Sequence, residues 1–174
     1  SMANRKNQSH LKNCYLKSSL EESLSHFREQ LQAKNINYKI KFEDNLDTHL
    51  RVIVDPPSFV NSVLCNLISN SIKFSYPDSW IEINILSAGE NKVEIQFKDN
   101  GIGMSEAMVS NVFSFNHNIS RDGTNGEKGT GFGLPILKKY IEIYDGEISV
   151  TSQEQTSEKK GFTCFKLVLK TIKN

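Results

Sequence analysis

The chain has few of the features that stabilise secreted proteins or anchor membrane proteins. Its three cysteines are far apart, odd in number and without a Cys-x-x-Cys spacing, which argues against a disulfide framework and a zinc site. No apolar run approaches the length of a membrane span, and no charged-then-apolar leader opens the chain. We therefore expect a domain of the reducing cytoplasm without direct membrane contact.

The chain also lacks an excess of either charge. With 21 basic and 20 acidic residues, its net charge of +1 gives no reason to expect nucleic acid as a partner. Its four histidines are scattered and form no recognisable nucleophile or metal arrangement. Because the overall charge is balanced, any polyanion that the chain binds must be small and locally held.

At 174 residues and 37% hydrophobic content, the chain has the size of one globular domain.

Hydrophobic periodicity predicts alternating helices and strands. Apolar residues at helical spacing predict a first helix from Leu16 to Leu31, and Asp55-Pro56-Pro57 is a typical start for a second helix ending near Phe74. A third helix is predicted from Gly133 until Gly146. Period-two alternation predicts strands over 38–42, 81–85, 93–99, 148–150 and 165–169, and a short apolar stretch predicts one over 52–54. A mobile loop is predicted between 104 and 128. This order favours helices layered on one face of a mixed sheet.

Three polar side chains share one face of the second helix. Asn66, Asn70 and Lys73 follow each other at steps of four and three. The amide oxygen of one of these asparagines is a suitable ligand for Mg²⁺, and the lysine can reach a phosphate. Taken alone, the same pattern also fits a solvated polar stripe on a surface helix.

A second segment, Asp99-Asn100-Gly101-Ile102-Gly103, follows a predicted strand. A carboxylate at the end of that strand can accept a hydrogen bond from the exocyclic amine of adenine. The glycines would let the backbone approach the ring, which a Cβ would obstruct. The alternative is an ordinary Asp-Asn-Gly turn.

The third segment, Gly129-Thr130-Gly131-Phe132-Gly133-Leu134, opens the third helix. Free N–H groups at a helix start can face phosphate oxygens. The segment has no P-loop lysine and lacks the preceding strand of a dinucleotide fingerprint. A glycine-rich hinge is the alternative, and both can hold together. The three segments in this order predict a site for ATP with Mg²⁺.

Two further sets of residues belong to the loop between the second and third segments. Phe113 and Phe115 either anchor the base of this loop or simply pack into the core, and packing is favoured. Arg121 and Lys128 either turn toward the phosphates when the loop closes or remain solvated.

These segments together resemble the catalytic ATP-binding domain of sensor histidine kinases, within the superfamily shared with gyrase-type, mismatch-repair and chaperone ATPases. Residues 66–73 resemble the asparagine box, 99–103 and 129–133 the two glycine boxes, and Phe113 with Phe115 the phenylalanine box. The resemblance implies a Bergerat-type α/β sandwich with a mobile ATP lid. It assigns Asn70 to Mg²⁺, Lys73 to phosphate, Asp99 to adenine, and the 129–133 backbone to the triphosphate.

The resemblance also has departures. Asn66 stands where the hydrolysing relatives are expected to carry a glutamate that activates water, so phosphoryl transfer to a protein is favoured over ATP hydrolysis. Phe132 replaces the usual leucine. No histidine is set in the family's acceptor motif, so the resemblance implies an acceptor elsewhere.

The resemblance further implies a division of the chain and a set of partners. Ser1-Met2 is typical of a remnant of tag removal, so we expect residues 1–15 to be this remnant and a linker, and 16–174 to be the catalytic domain. The partners implied are upstream dimerisation and phosphoacceptor helices and a response regulator receiver domain. The parent protein is expected to be a homodimer, either membrane-bound or not. The alternatives are a serine kinase of the anti-sigma type and a regulatory module that binds nucleotide without catalysis.

Overall fold

The structure is a computed structural model that describes residues 10–115, 120–129, 131 and 133–172. The strands in this part of the chain are β1 (Lys12–Tyr15), β2 (Asn37–Phe42), β3 (Arg51–Val54), β4 (Trp80–Ser87), β5 (Lys92–Asp99), β6 (Glu147–Gln153) and β7 (Phe162–Ile172). The helices are α1 (Leu16–Ser25), α2 (Arg28–Ala33), α3 (56–74), α4 (Glu106–Asn111) and α5 (Gly133–Ile143).

The strands form one mixed sheet in the order β1-β3-β7-β5-β4-β2, with β6 also paired to β7. The pair β2–β4 is parallel, and the other pairs are antiparallel. The register places Asp99, at the end of β5, between Ile81 of β4 and Thr163 of β7. The predicted mixed sheet is confirmed, and Asp99 ends a strand that has neighbours on both sides rather than an edge strand.

The core lies between one face of this sheet and the helices. The buried strand residues on this face include Ile81, Ile83, Ile85, Val93, Ile95, Phe97, Phe165, Leu167 and Leu169. Helix α1 contributes Leu16, Leu20 and Leu24, which are all buried, and each such side chain stabilises the fold by about 1.5–3 kcal/mol. The opposite face carries polar pairs such as Glu82 and Lys98. The two-layer sandwich predicted from the pattern is therefore confirmed.

Helix α3 begins as predicted. The Asp55 carboxylate accepts a hydrogen bond from the Ser58 N–H at 3.2 Å, and Pro56 and Pro57 occupy the first turn. Residues Phe59–Leu64 form a π-helical turn that the periodicity did not predict, before the helix becomes regular over Cys65–Phe74. Since 66, 70 and 73 all lie in the regular part, their predicted common face is retained.

Three elements differ from the predictions. The first helix breaks at His26–Phe27 into α1 and α2, although the apolar spacing continues through the break. Part of the segment predicted as a linker, Lys12–Tyr15, pairs with β3 as a strand. The predicted mobile loop begins with a short helix, Glu106–Asn111, whose cap is the Ser105 hydroxyl. A serine followed by an acidic residue is a recognisable cap, so this helix was detectable from sequence.

Every helix in the described part of the chain is too short or too polar to cross a membrane.

Candidate functional site

A cleft opens between α3, the start of α5 and the end of the sheet. Eight of the predicted site residues line it: Asn66, Asn70, Lys73, Asp99, Gly129, Gly131, Gly133 and Leu134. Five predicted residues do not line it: Asn100, Gly101, Gly103, Phe113 and Lys128. Thr130 and Phe132 lie outside the described residues. Members of all three segments therefore meet at one cleft.

Asp99 forms the deep end of this cleft. The residue is only 3% exposed, and its carboxylate accepts a hydrogen bond from the Gly101 N–H at 3.1 Å. Burial raises the pKa of Asp99 to about 7, although the Gly101 N–H, the Arg121 guanidinium and the Thr163 N–H each lower it. A buried carboxylate that ionises near neutral pH can accept a hydrogen bond from a ligand amine.

Asp99 should make the stability of the free domain depend on pH. Because its pKa is raised in the folded state, its contribution is fully favourable below about pH 4 and is lost as the pH rises through about 7. Between pH 5 and pH 7 the wild type should lose about 2 kcal/mol relative to Asp99→Asn, which has no such titration. Urea unfolding of both proteins at the two pH values measures this difference. A difference that is independent of pH would show that Asp99 titrates normally.

Six residues that the sequence did not single out, together with Arg121, complete the deep end: Phe74, Met104, Met108, Val112, Thr163 and Phe165. The Arg121 guanidinium lies 4.7 Å from the centre of the Phe74 ring and donates to the Gly103 carbonyl at 2.7 Å. In this structure Arg121 thus lies at the Asp99 end rather than beside Lys73. The position of Thr163 in the cleft follows from its pairing with Asp99 across β5 and β7, and no local sequence pattern indicates it.

At the other end of the cleft, α3 and the third segment approach each other closely. A Cβ added to Gly129 would lie 3.0 Å from the Lys73 ammonium, and one added to Gly133 would lie 2.9 Å from the Asn66 amide oxygen. Gly131 has a φ of +77°, which favours glycine. The glycines therefore bring the start of α5, with its free N–H groups, against the polar face of α3.

The Lys73 ammonium forms no hydrogen bond or ion pair with another described residue. An unpaired cation next to a helix start is a suitable site for phosphate oxygens. The Asn70 side chain likewise makes no hydrogen bond to a described residue, so its amide oxygen is available to a hard cation such as Mg²⁺. Among the described residues no cluster of three or more histidine, cysteine or acidic side chains suits a metal, so phosphate and water would supply the other ligands.

The first glycine segment is fixed by its own packing. A Cβ on Gly101 would lie 1.8 Å from the Phe74 carbonyl oxygen, and one on Gly103 would lie 1.7 Å from the Gln153 carbonyl oxygen. The close approaches seen here are thus to α3 and to β6. The expected approach of these glycines to an adenine ring stays a prediction.

The remaining predicted residues lie around the cleft. Phe113 packs edge-on against Phe165, which agrees with the favoured packing role, whereas Phe115 is exposed beneath Lys139. Asn100 is exposed, and Lys128 is exposed and paired with Asp122 at 2.7 Å. Neither of these two polar side chains reaches the cleft in this structure.

Comparisons with known proteins agree with this architecture. The family model described as histidine kinase-, DNA gyrase B- and HSP90-like ATPase matches residues 55–172. The adaptive-response sensory kinase SasA of Microcystis aeruginosa is 27% identical over 154 residues, which are 88% of this chain and 38% of that protein. The sensor protein VanSC of Enterococcus gallinarum is 29% identical over 79% of this chain and 36% of its own length. The chain therefore spans little more than a third of these relatives.

Among solved structures, a mycobacterial sensor histidine kinase MprB matches with a TM-score of 0.75 and 19% identity, covering 92% of this chain and 97% of that one. At this identity the match supports the fold. The fold and its cleft define an ATP-binding domain of the histidine kinase type. The chain belongs to the family of histidine kinase-, DNA gyrase B- and HSP90-like ATPases.

Proposed function

We propose that this domain binds Mg-ATP and transfers its γ-phosphate to a histidine on a dimerisation and acceptor domain outside this chain, in two-component signalling. The observation that carries the proposal is one cleft with a buried carboxylate at one end and, beside a helix start at the other, an ammonium that has no partner among the described residues. The partners proposed are the acceptor helices of the parent homodimer and a response regulator receiver domain. The names of the relatives, sensory kinase and sensor protein, support this assignment.

Each end of the cleft has its own role in this proposal. The Asp99 carboxylate accepts a hydrogen bond from the exocyclic amine of adenine. Guanine has a carbonyl at the same ring position, and this second acceptor would face the carboxylate without a hydrogen bond. Lys73 and the backbone N–H groups of the 129–133 segment bind the phosphates. Asn70 would hold Mg²⁺, which neutralises phosphate charge and orients the γ-phosphate when bound. Catalysis then depends on positioning and electrostatics.

The lining of the cleft favours transfer over hydrolysis. The Asn66 amide donates to the Ser62 carbonyl at 2.5 Å and to the Gly133 carbonyl at 3.4 Å, and an amide cannot accept a proton as a general base does. Asp99 is the one acidic residue among the described residues that line the cleft, and it lies at the end opposite Asn66. None of these lining residues is a histidine, so none offers a general base beside Asn66. An incoming acceptor imidazole, in contrast, brings its own nucleophilic nitrogen.

Calorimetric titration of the wild type with Mg-ATP and with Mg-GTP tests the binding half of the proposal. We expect saturable Mg-ATP binding, with GTP at least about tenfold weaker because its base cannot donate at the Asp99 position. Addition of EDTA should weaken ATP binding. Absence of ATP binding by the folded protein would contradict the proposal, and equal affinities would contradict the role of Asp99.

Incubation with radiolabelled ATP and a histidine-bearing acceptor domain of a two-component kinase tests the transfer half. A phosphohistidine product is labile to acid, whereas a phosphoserine product is stable to acid. An acid-labile product that requires the acceptor histidine supports the proposal. An acid-stable product would favour the serine kinase, and binding without transfer would favour a regulatory module.

A further inference from the structure

Lys34 lies outside the cleft, yet its side chain reaches the helix that carries the phosphate-binding residues. It follows α2, and its ammonium donates to the Ile72 carbonyl at 2.7 Å and to the Lys73 carbonyl at 3.0 Å. A third hydrogen bond, at 2.8 Å, goes to the Glu127 carboxylate. The Lys34 side chain is 4% exposed, so an almost fully buried ammonium has one acceptor for each of its three hydrogens.

Two of these contacts have a local explanation. The last carbonyls of a helix have no partner within the helix, and its carboxyl end is the negative end of the helix dipole. Lys34 supplies both hydrogen bonds and a positive charge at the end of α3. Capping of α3 alone, however, would not require an acid from a segment 93 positions away in sequence.

The segment that contains Glu127 is docked on the same helix end. The Thr124 N–H donates to the Lys73 carbonyl at 2.8 Å, and the Thr124 hydroxyl donates to the Ser75 carbonyl at 2.6 Å. Gly123 lies so close that an added Cβ would be 2.5 Å from the Lys73 carbonyl oxygen. Lys73 is therefore held by its backbone to Lys34 and to the segment 123–127 at once.

This arrangement connects directly to the phosphate end of the cleft. Gly129 follows Glu127 by two residues and is the glycine that approaches the Lys73 ammonium. The position of 127 thus limits where the backbone of 129 can lie, because two residues of chain span about 7 Å at most. Lys34 and Glu127 themselves do not line the cleft.

We propose that Lys34 and Glu127 form a latch that docks the segment 123–127 on the end of α3 and so sets the spacing between the Lys73 ammonium and Gly129. Both are positioning residues for the phosphate end of the nucleotide site. The inference rests on the proposed function, since that spacing has a purpose only if phosphates bind there. It predicts that the latch affects the binding of ATP much more than the binding of adenosine.

The charge of Glu127 suits this role. Burial tends to raise its pKa, but hydrogen bonds from Lys34 and from backbone N–H groups outweigh this, and the pKa lies below its ordinary value. Glu127 is therefore ionised at neutral pH. Glu127→Gln removes the charge and preserves the shape of a side chain that is 31% exposed, so we expect the variant to fold.

The test compares Glu127→Gln with the matched control Asp122→Asn, which removes a negative charge directly before the segment 123–127 but not from the latch. We expect Glu127→Gln to weaken Mg-ATP binding about five- to tenfold by calorimetry, and adenosine binding, followed by NMR titration, less than about twofold. Exchange of the Thr124 amide hydrogen should accelerate about tenfold. Asp122→Asn should not weaken ATP binding or accelerate this exchange.

Each result decides between a latch and a simple cap. Equal losses for ATP and adenosine, or no change in ATP binding, would overturn the proposal even if Thr124 exchange accelerates. Unchanged exchange in Glu127→Gln would overturn the docking itself. A wild type that binds no ATP would instead overturn the proposed function, and this arm is measured first. Lys34→Met, if it folds, should reproduce the effects of Glu127→Gln.

Discussion

Asp99→Asn should reduce the affinity for Mg-ATP at least about a hundredfold, as measured by calorimetry at pH 8. At this pH the wild-type carboxylate is mostly ionised, because the pKa of Asp99 is about 7. The amide has nearly the same shape, so the cleft should keep its form. It replaces a charged acceptor by a neutral one, and its own NH₂ group can face the adenine amine as a second donor. A hydrogen bond to a charged group contributes about 1.5–3 kcal/mol, and a buried unmatched donor costs a similar amount.

A control for this variant is available on the same sheet. Glu82 lies in β4 on the exposed face, so Glu82→Gln removes a carboxylate without reaching the cleft. We expect its affinity for Mg-ATP to equal that of the wild type. If Asp99→Asn bound ATP within about threefold of the wild type, adenine recognition would have to be assigned to other lining residues.

Much of the site was predictable from sequence because its residues belong to regular elements. Asp99 has the same parity as Val93, Ile95 and Phe97, and period-two alternation therefore places its carboxylate on the buried face of the sheet. The common face of Asn66, Asn70 and Lys73 follows from helical spacing in the same way. In both cases the local pattern specified the direction of the side chain.

Contacts between distant segments were not predictable in this way. The break between α1 and α2 is invisible to periodicity, since Phe27 keeps the apolar spacing through it and still packs on the core. The role of Lys34 depends on the end of α3, and nothing in its neighbourhood in sequence indicates that partner. The close neighbours of the glycines at 101 and 103 likewise come from α3 and from the last hairpin. Such contacts follow from the tertiary structure rather than from local propensity.

Gly103→Ala should destabilise the domain by about 3–5 kcal/mol, the largest effect on stability that we expect from a single methyl group here. Gly103 has a φ of +66°, which an alanine adopts only with strain, and the added Cβ would lie 1.7 Å from the Gln153 carbonyl oxygen. That oxygen belongs to the backbone of β6, so it cannot move aside as the end of a flexible side chain does. Relief of the overlap must shift either β6 or the first glycine segment. Urea unfolding measures the loss.

The matched control separates steric overlap from backbone strain. Gly89 also has a positive φ, +106°, but an added Cβ there would meet no atom within 4 Å. Gly89→Ala should therefore cost only about 1 kcal/mol, the contribution of the strain alone. Because the Gly103 carbonyl accepts the hydrogen bond from Arg121, a shift of this segment would also displace Arg121 from the deep end of the cleft. We accordingly expect Gly103→Ala to weaken ATP binding under conditions in which it remains folded, whereas Gly89→Ala should not. If Gly103→Ala and Gly89→Ala were equally stable, the first glycine segment would have to move freely away from β6. It could then not hold the Asp99 end of the cleft in place.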